Sequence, residues 1–115
     1  MDVIWSKNAT YRIKEIWDYY KSKSKKAALL LINDIEEVGK LLGKFPQMAP
    51  IEPTLSETTM TYRALVVRHN YKITYFIDEQ TNTIYIVTVW DCRQDDKKLK
   101  EEYPSKFQKS ISPQP

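Results

Sequence analysis

The amino-acid sequence predicts an α+β domain, with an N-terminal helix hairpin packed on a small, mainly antiparallel four-stranded sheet and a short helix after the sheet. Two amphipathic stretches in the first 44 residues predict the hairpin. Three runs of β-branched and aromatic residues between positions 62 and 90 predict a meander of antiparallel strands. A short apolar run at the start predicts a fourth strand at the side of this sheet.

The N-terminal elements are predicted from spacing and capping residues. Residues 3–5 (VIW) are strand formers, and Ser6 after them is a suitable N-cap. Apolar residues then recur every three or four positions, which predicts a helix from 7 to about 20 or 23. Ser24 is the N-cap of a second amphipathic helix, which ends near Gly43. The short polar link between the two helices favours an antiparallel hairpin.

The remaining elements are predicted from strand composition and breaks. Residues 45–60 contain three prolines and no clear period, which indicates a loop. The strands are predicted at 62–67, 71–77 and 83–90, with turns at 69–70 and 78–82.

The end of the chain differs from the rest in composition. The charged segment 95–103 predicts a last helix, and 1–103 is expected to form one domain. The tail 104–115, rich in Ser, Pro, Gln and Lys, is expected to be disordered.

Charge and cysteine content restrict the function classes. The formal net charge is +3 and the pI near 8.9, a mildly basic balance that favours nucleic acid or an acidic protein without requiring either. Residues 1–50 carry 9 Lys and Arg against 6 Asp and Glu, so the basic excess belongs to the first half. Cys92 is the one cysteine, which excludes an internal disulfide and fits a reducing compartment. The N-terminus lacks a signal peptide, and no apolar run is long enough for a membrane span, so we expect a cytoplasmic protein.

The most informative stretch is the last strand and the polar string after it. The continuous apolar run 84–90 predicts a strand buried in the sheet. Arg93 follows directly and is therefore expected at a rigid sheet edge. A fixed arginine beside a core indicates an anionic partner.

These elements, in this order, resemble the RelE/ParE superfamily, the toxins of type II toxin–antitoxin pairs, also called plasmid stabilisation proteins. The resemblance covers about residues 4–99. Its most specific pieces are Ile4-Trp5-Ser6 with Ala9, Ile16-Trp17-Asp18-Tyr19-Tyr20, Tyr62-Arg63-Ala64-Leu65-Val66-Val67, Tyr71-Lys72-Ile73 with Tyr75-Phe76, and Trp90-Asp91-Cys92-Arg93-Gln94-Asp95. It implies growth arrest by the chain and neutralisation by a cognate antitoxin, a small acidic protein that covers the sheet groove and the arginine region.

Some members of this superfamily are ribosome-dependent mRNA endoribonucleases, and this is the alternative activity. Such cleavage needs a base, cations for the phosphate and an acid. The resemblance suggests Arg63 and Arg93 as sheet arginines for this role, with His69 as a further catalytic candidate. Arg68 and Lys72 complete the basic set, with Lys72 expected to be solvated, and Glu52 or Glu57 are conceivable bases.

The segment 90–99 looks more like the ParE branch, whose members are described as inhibitors of DNA gyrase. The carboxylates of Asp95 and Asp96 beside the phosphate position would oppose RNA binding. An inhibitor needs a protein-binding surface, for which we select Arg63, Arg68, Lys72 and Arg93. A basic helix hairpin could supply more of this surface through Arg12, Lys14, Lys21, Lys23, Lys25 and Lys26. A member that has lost toxicity and persists as a binding module is a third possibility.

Metal sites and cofactors are not expected. Cys92 has no second cysteine or nearby histidine in sequence, and the chain has no glycine-rich phosphate loop. The tryptophans and most tyrosines fall at helical or strand spacing, which is typical of core positions.

Overall fold

In the computed structural model, which describes residues 1–52 and 60–102, the predicted α+β fold is confirmed. The predicted disordered tail 104–115 lies outside the described residues. The elements in chain order are β1 (Asp2–Trp5), α1 (Lys7–Lys21), α2 (Lys25–Lys44), β2 (Arg63–Val67), β3 (Tyr71–Asp78), β4 (Thr83–Asp91) and a C-terminal 3₁₀ helix (Asp96–Glu102).

The four strands form one mixed sheet in the order β1-β4-β3-β2. The meander β2-β3-β4 is antiparallel, as predicted, while β1 pairs with β4 in parallel. Strand β4 therefore lies between two neighbours, which explains its continuous apolar sequence. Seven of its nine residues are buried.

Both helices begin at the predicted caps. The side chain of Ser6 accepts a hydrogen bond from the backbone N–H of Ala9 at 2.9 Å, and Ser24 accepts one from Ala27 at 3.1 Å. The link between the helices is a tight turn, in which the N–H groups of Lys23 and Ser24 both donate hydrogen bonds to the carbonyl of Tyr20. The helices consequently return antiparallel on one face of the sheet.

The main core lies between this hairpin and the sheet. It contains residues from α1, α2 and all strands except β1, of which Val3 and Trp5 pack at the margin of the core. Its fully buried members include Ala9, Ile35, Leu42, Ile73 and Ile86. Burial of each isoleucine or leucine side chain stabilises the fold by roughly 1.5 to 3 kcal/mol, so this layer fixes the hairpin on the sheet.

A second, smaller core covers the other face of the sheet. Phe76 and Trp90 of the sheet pack there with Tyr62 and with Leu99 of the C-terminal 3₁₀ helix. Leu99 is fully buried, which explains why the charged segment after β4 folds back.

A glycine allows α2 to approach β1 closely. A Cβ on Gly39 would lie 2.3 Å from Cζ2 of Trp5, well inside van der Waals contact. Only a residue without a side chain fits between the helix backbone and this indole ring.

Candidate functional site

The candidate site begins where β4 ends. Arg93 lies two residues beyond the strand, and its Nε and Nη2 donate to the two carboxylate oxygens of Asp91 at 2.9 and 3.0 Å. The backbone N–H of Arg93 donates to the same carboxylate at 2.9 Å. The Arg93 side chain is nevertheless 52% exposed. The guanidinium is thus held in a defined position while it stays open to a ligand.

Two tyrosines complete the support of Arg93. Its Nη2 also donates to the hydroxyl of Tyr71 at 3.2 Å, and its guanidinium carbon lies 5.7 Å from the centre of that ring. The Tyr71 hydroxyl in turn donates to the hydroxyl of Tyr20 at the end of α1, at 3.4 Å. Helix α1 and strands β3 and β4 therefore meet at this arginine.

The electrostatics of the cluster favour the charged forms of Asp91 and Arg93. The hydrogen bonds from Asp91 raise the pKa of the Arg93 guanidinium. Burial alone would raise the pKa of Asp91, but its bonds with Arg93 hold that pKa below its usual value. Burial raises the pKa of Tyr71, and the bond donated by Tyr71 lowers the pKa of Tyr20. Tyr71 therefore remains a protonated hydrogen-bond donor.

A groove of about 440 Å³ lies beside this cluster, between α1 and the ends of β3 and β4. We call it the Arg93 groove. Its lining residues are Arg12, Glu15, Ile16, Tyr19, Tyr71, Val89, Trp90, Asp91, Arg93 and Gln94. It combines aromatic and aliphatic walls with two guanidinium groups, which pair with the carboxylates of Glu15 and Asp91. Arg93 is the more exposed of the two arginines and is the group that a carboxylate-bearing segment of a protein partner could contact.

A buried carboxylate holds the second arginine of the groove. Glu102 accepts bonds from Nε and Nη2 of Arg12, both at 2.7 Å. It also accepts bonds from Asn8 at 3.1 Å and from Thr88 at 3.0 Å. We call these four residues the Glu102 clasp. The clasp joins α1, β4 and the C-terminal 3₁₀ helix.

The clasp is partly shielded from solvent, with side-chain exposures of 28% for Arg12 and 9% for Glu102. Burial would raise the pKa of Glu102, but the bonds from Arg12, Asn8 and Thr88 lower it below its usual value. The bond to Glu102 raises the pKa of Arg12.

The sequence did not reveal the clasp. Arg12 was assigned to a basic helix surface, but its guanidinium is paired with Glu102 and, at 2.6 Å, with Glu15. Ninety residues separate Arg12 from Glu102, and no local pattern links them. Only the return of the C-terminal segment brings the two together.

Arg63 lies away from the Arg93 groove. It pairs in register with Tyr75, four residues along β3 from Tyr71, a separation of about 13 Å. Its Nη1 donates to the carbonyl of Ala49, in the segment after α2, at 2.7 Å. Arg63 and Arg93, expected to act together in a nuclease, are not brought together.

His69 occupies the turn between β2 and β3, as predicted, and Arg68 lies in the same turn. Arg68 pairs with Asp34 of α2 at 2.5 Å, and its side chain is 48% exposed. His69 is exposed. The turn precedes Tyr71, so these residues lie at the same end of the sheet as Arg93.

The expectation that Lys72 is solvated is wrong. Its Nζ lies 2.8 Å from a carboxylate oxygen of Glu52, and the two side chains are only 14% and 5% exposed. Lys72 follows Tyr71 in β3 and therefore points to the opposite face of the sheet, where it lies beside Trp90. Glu52, a conceivable base in sequence, is the partner of this lysine. Glu57 lies outside the described residues.

The aromatic residues divide between core and surface. Tyr75 and Trp90 are buried, in line with the prediction of core positions, whereas Tyr11 and Tyr19 are 56% and 55% exposed on α1. In residues 1–52 and 60–102, no group of three or more His, Cys, Asp and Glu side chains is arranged to hold a metal ion.

Comparison with known proteins identifies the family. The family model described as the ParE toxin of the type II toxin–antitoxin system parDE matches residues 3–96. The chain therefore belongs to the ParE toxin family, the branch that the segment 90–99 had indicated.

A solved structure has the same fold. It is a chain of the chromosomal ParDE toxin–antitoxin system from P. aeruginosa, with a TM-score of 0.65 and 22% sequence identity, and the alignment covers 79% of this chain and 95% of that one. No curated protein gives a significant match. Among the described residues, no helix has the length and apolar character needed to cross a membrane.

Proposed function

We propose that this chain is a growth-arresting toxin that inhibits DNA gyrase in the cytoplasm and is neutralised by a cognate antitoxin. The observation that carries this proposal is the match to the ParE toxin family over residues 3–96. Inhibition of gyrase is the activity expected from the ParE branch.

The Arg93 groove is the surface that we assign to partner binding. An inhibitor acts by occupying a surface and requires no catalytic set. The groove offers a guanidinium that is 52% exposed yet held by Asp91 and Tyr71. Preorganisation of this kind lowers the entropy lost on binding.

The antitoxin is proposed to be a small acidic protein with a helix or strand that covers this groove. A carboxylate of the antitoxin would join Asp91 as a second partner of the exposed Arg93 guanidinium, and Arg68 at the same end of the sheet would add a further contact. Arg63 and Lys72, the other two residues selected for partner binding, bond to Ala49 and Glu52 and lie elsewhere. Any contact they make belongs to a separate surface.

The alternative activity, ribosome-dependent mRNA cleavage, gains no support from the geometry. It would rest on Arg63, His69 and Arg93, but Arg63 lies about 13 Å along the sheet from the Arg93 cluster. In addition, Asp91 already occupies the face of Arg93 that a phosphate would approach.

Two assays with the purified chain test the mode of action. A supercoiling assay with gyrase and relaxed plasmid should show inhibition that increases with toxin concentration. A translation assay on ribosomes should show no mRNA cleavage beyond the background. Cleavage in the second assay without inhibition in the first would reverse the assignment.

Expression in cells tests the toxin role itself. Induction of the chain alone should stop growth, and co-expression of an adjacent short reading frame that encodes an acidic protein should restore it. Normal growth with abundant folded protein would refute the role, and antitoxin binding without arrest would indicate a member that has lost toxicity.

A further inference from the structure

Six cationic or titratable side chains cluster at the end of the molecule where α1 and α2 are joined. We call this surface the basic tip. It consists of Lys21, Lys23, Lys25, Lys26, Arg68 and His69, all of which are exposed.

Tertiary contacts bring the two segments of the tip together. The hairpin link follows Tyr20, whose hydroxyl bonds to that of Tyr71, the first residue after the β2–β3 turn. From that turn, Arg68 reaches α2 and pairs with Asp34. The hairpin link and the β2–β3 turn therefore share one end of the fold.

The tip carries an excess of positive charge, and one of its carboxylates, Asp18, is also shared with Lys14. Its four lysines and Arg68 are accompanied by two carboxylates, Asp18 and Asp34, which gives +3. The chain has 18 Lys and Arg against 15 Asp and Glu, so 13 of each remain elsewhere. The remaining charges of the sequence are formally balanced, and the tip is a region of local positive charge on the described part of the chain.

Local stability explains Lys21, which lies in the last turn of α1 and pairs with Asp18, but it does not explain the lysines at the start of α2. The first turn of α2 contains Lys25 and Lys26 and no acidic residue, against the preference of the helix dipole for negative charge there. Arg68 and His69 both have left-handed backbone conformations, with φ of 52° and 65°. Histidine is among the residues enriched in this region, but arginine is not, so Arg68 is the departure from local preference. Such departures from local preference concentrate at functional sites.

We propose that the basic tip binds the phosphate backbone of duplex DNA. None of its six side chains is apolar, whereas protein interfaces take most of their energy from aromatic and other large buried anchors. Four of the six are lysines, which contact phosphates as point charges without reading sequence. This inference rests on the proposed function only in the choice of DNA as the ligand, since duplex DNA is the substrate of gyrase. In that complex the tip would contact the DNA while the Arg93 groove remains free for a protein.

The test is the salt dependence of binding to a fluorescein-labelled 20-base-pair duplex, measured by anisotropy with the full chain. The tip variant K23Q/K25Q/K26Q is compared with the control variant K40Q/K44Q/K97Q. All six positions are exposed lysines, and both variants have a net charge of zero, so they differ only in where charge is removed. Circular dichroism and thermal melting confirm that both variants are folded.

We expect the wild type to bind with a micromolar Kd at 50 mM KCl. The tip variant should bind at least about tenfold more weakly, with a slope of log K against log salt that is shallower by about 2 to 3. The control variant should stay within about threefold of the wild type. Because the assay contains no gyrase, its outcome does not depend on whether the chain inhibits that enzyme.

Three results would overturn the proposal. The wild type could fail to bind DNA, or both variants could lose affinity equally, which would make net charge alone the cause. Alternatively, the wild type could bind vesicles containing phosphatidylserine, or poly-glutamate, as tightly as it binds the duplex, and the tip variant could lose that binding. The ligand of the tip would then be an anionic membrane or an acidic protein.

Discussion

Arg12 and Arg93 both line the Arg93 groove but are held in different ways. Arg12 bonds to Glu102, 90 residues away, through two hydrogen bonds of 2.7 Å. Arg93 bonds to Asp91, two residues earlier, and is 52% exposed. The first pair joins distant parts of the chain, while the second orients one side chain.

This difference separates stability from binding. Loss of the long-range pair leaves a shielded charge without its partner and removes one of the contacts that hold the C-terminal 3₁₀ helix, the other being buried Leu99. Loss of the local pair removes an exposed interaction, which contributes little to folding. We therefore expect variants of the Glu102 clasp to change the free energy of unfolding, and variants at Arg93 to change binding.

The largest effect is expected from Glu102→Ala. It leaves Arg12 with only Glu15 and should lower the free energy of unfolding by about 2 kcal/mol, since Arg12 retains some access to water. The corresponding fall in Tm is roughly 8 °C. Urea denaturation and thermal melting measure the two quantities. The control is Glu101→Ala at the exposed neighbouring position, which should change unfolding by less than about 0.5 kcal/mol.

Arg93→Ala should show the opposite behaviour. We expect inhibition of supercoiling to fall by at least about tenfold, while the free energy of unfolding changes by less than about 1 kcal/mol. Lys97→Ala, at a nearby exposed position, is the control for loss of one positive charge. The assignment of Arg12 to stability and Arg93 to binding would be contradicted if Arg93→Ala unfolds the protein, or if this variant inhibits supercoiling as well as the wild type does.

Acid should weaken the Glu102 clasp. The pKa of Glu102 is lower in the folded state than its usual value of about 4.3, so the folded protein binds fewer protons. The contribution of the clasp is therefore complete above that usual pKa and is lost as pH falls through the lower folded value. Denaturation at a series of pH values should show the wild type and Glu102→Ala converging in stability below about pH 4. A stability difference that does not change with pH would contradict a charged Glu102.

The smallest effect is expected from Tyr71→Phe. It removes one bond from Arg93 and one to Tyr20 but leaves the bidentate contact with Asp91. We expect a loss of about 1 kcal/mol in the free energy of unfolding and at most about a twofold change in inhibition. A loss as large as that in Glu102→Ala would show that Tyr71, and not only the clasp, holds α1 to the sheet.

Most of the fold could be predicted from the sequence because its signals are local. The caps Ser6 and Ser24, the helical spacing and the strand composition each depend on a few neighbouring residues. The observed strands and helices begin and end within about two residues of the predicted positions, the usual uncertainty of an element boundary. The parallel pairing of β1 with β4 could not be predicted from the sequence, since it joins residues about 80 positions apart.

The candidate site was predicted only in part. The position of Arg93 was predicted because the sequence places it directly after a buried strand, and the structure has the same arrangement. Lys72 was misjudged because its partner, Glu52, comes from the loop before β2 and meets it on the second face of the sheet. The close approach of Gly39 to Trp5 was likewise invisible, since nothing near Gly39 in sequence indicates an indole ring.

The sequence by itself determined the helices, the strands, the position of Arg93 and the charge excess of the first half. Periodicity, capping and composition act between neighbouring residues and need no tertiary information. The tertiary structure alone decided which charges are paired, which arginines share a groove and which cations come together at the basic tip. Those outcomes depend on how the C-terminal segment, the loop before β2 and the β2–β3 turn return to the helix hairpin, and such contacts between distant residues arise only when the chain packs.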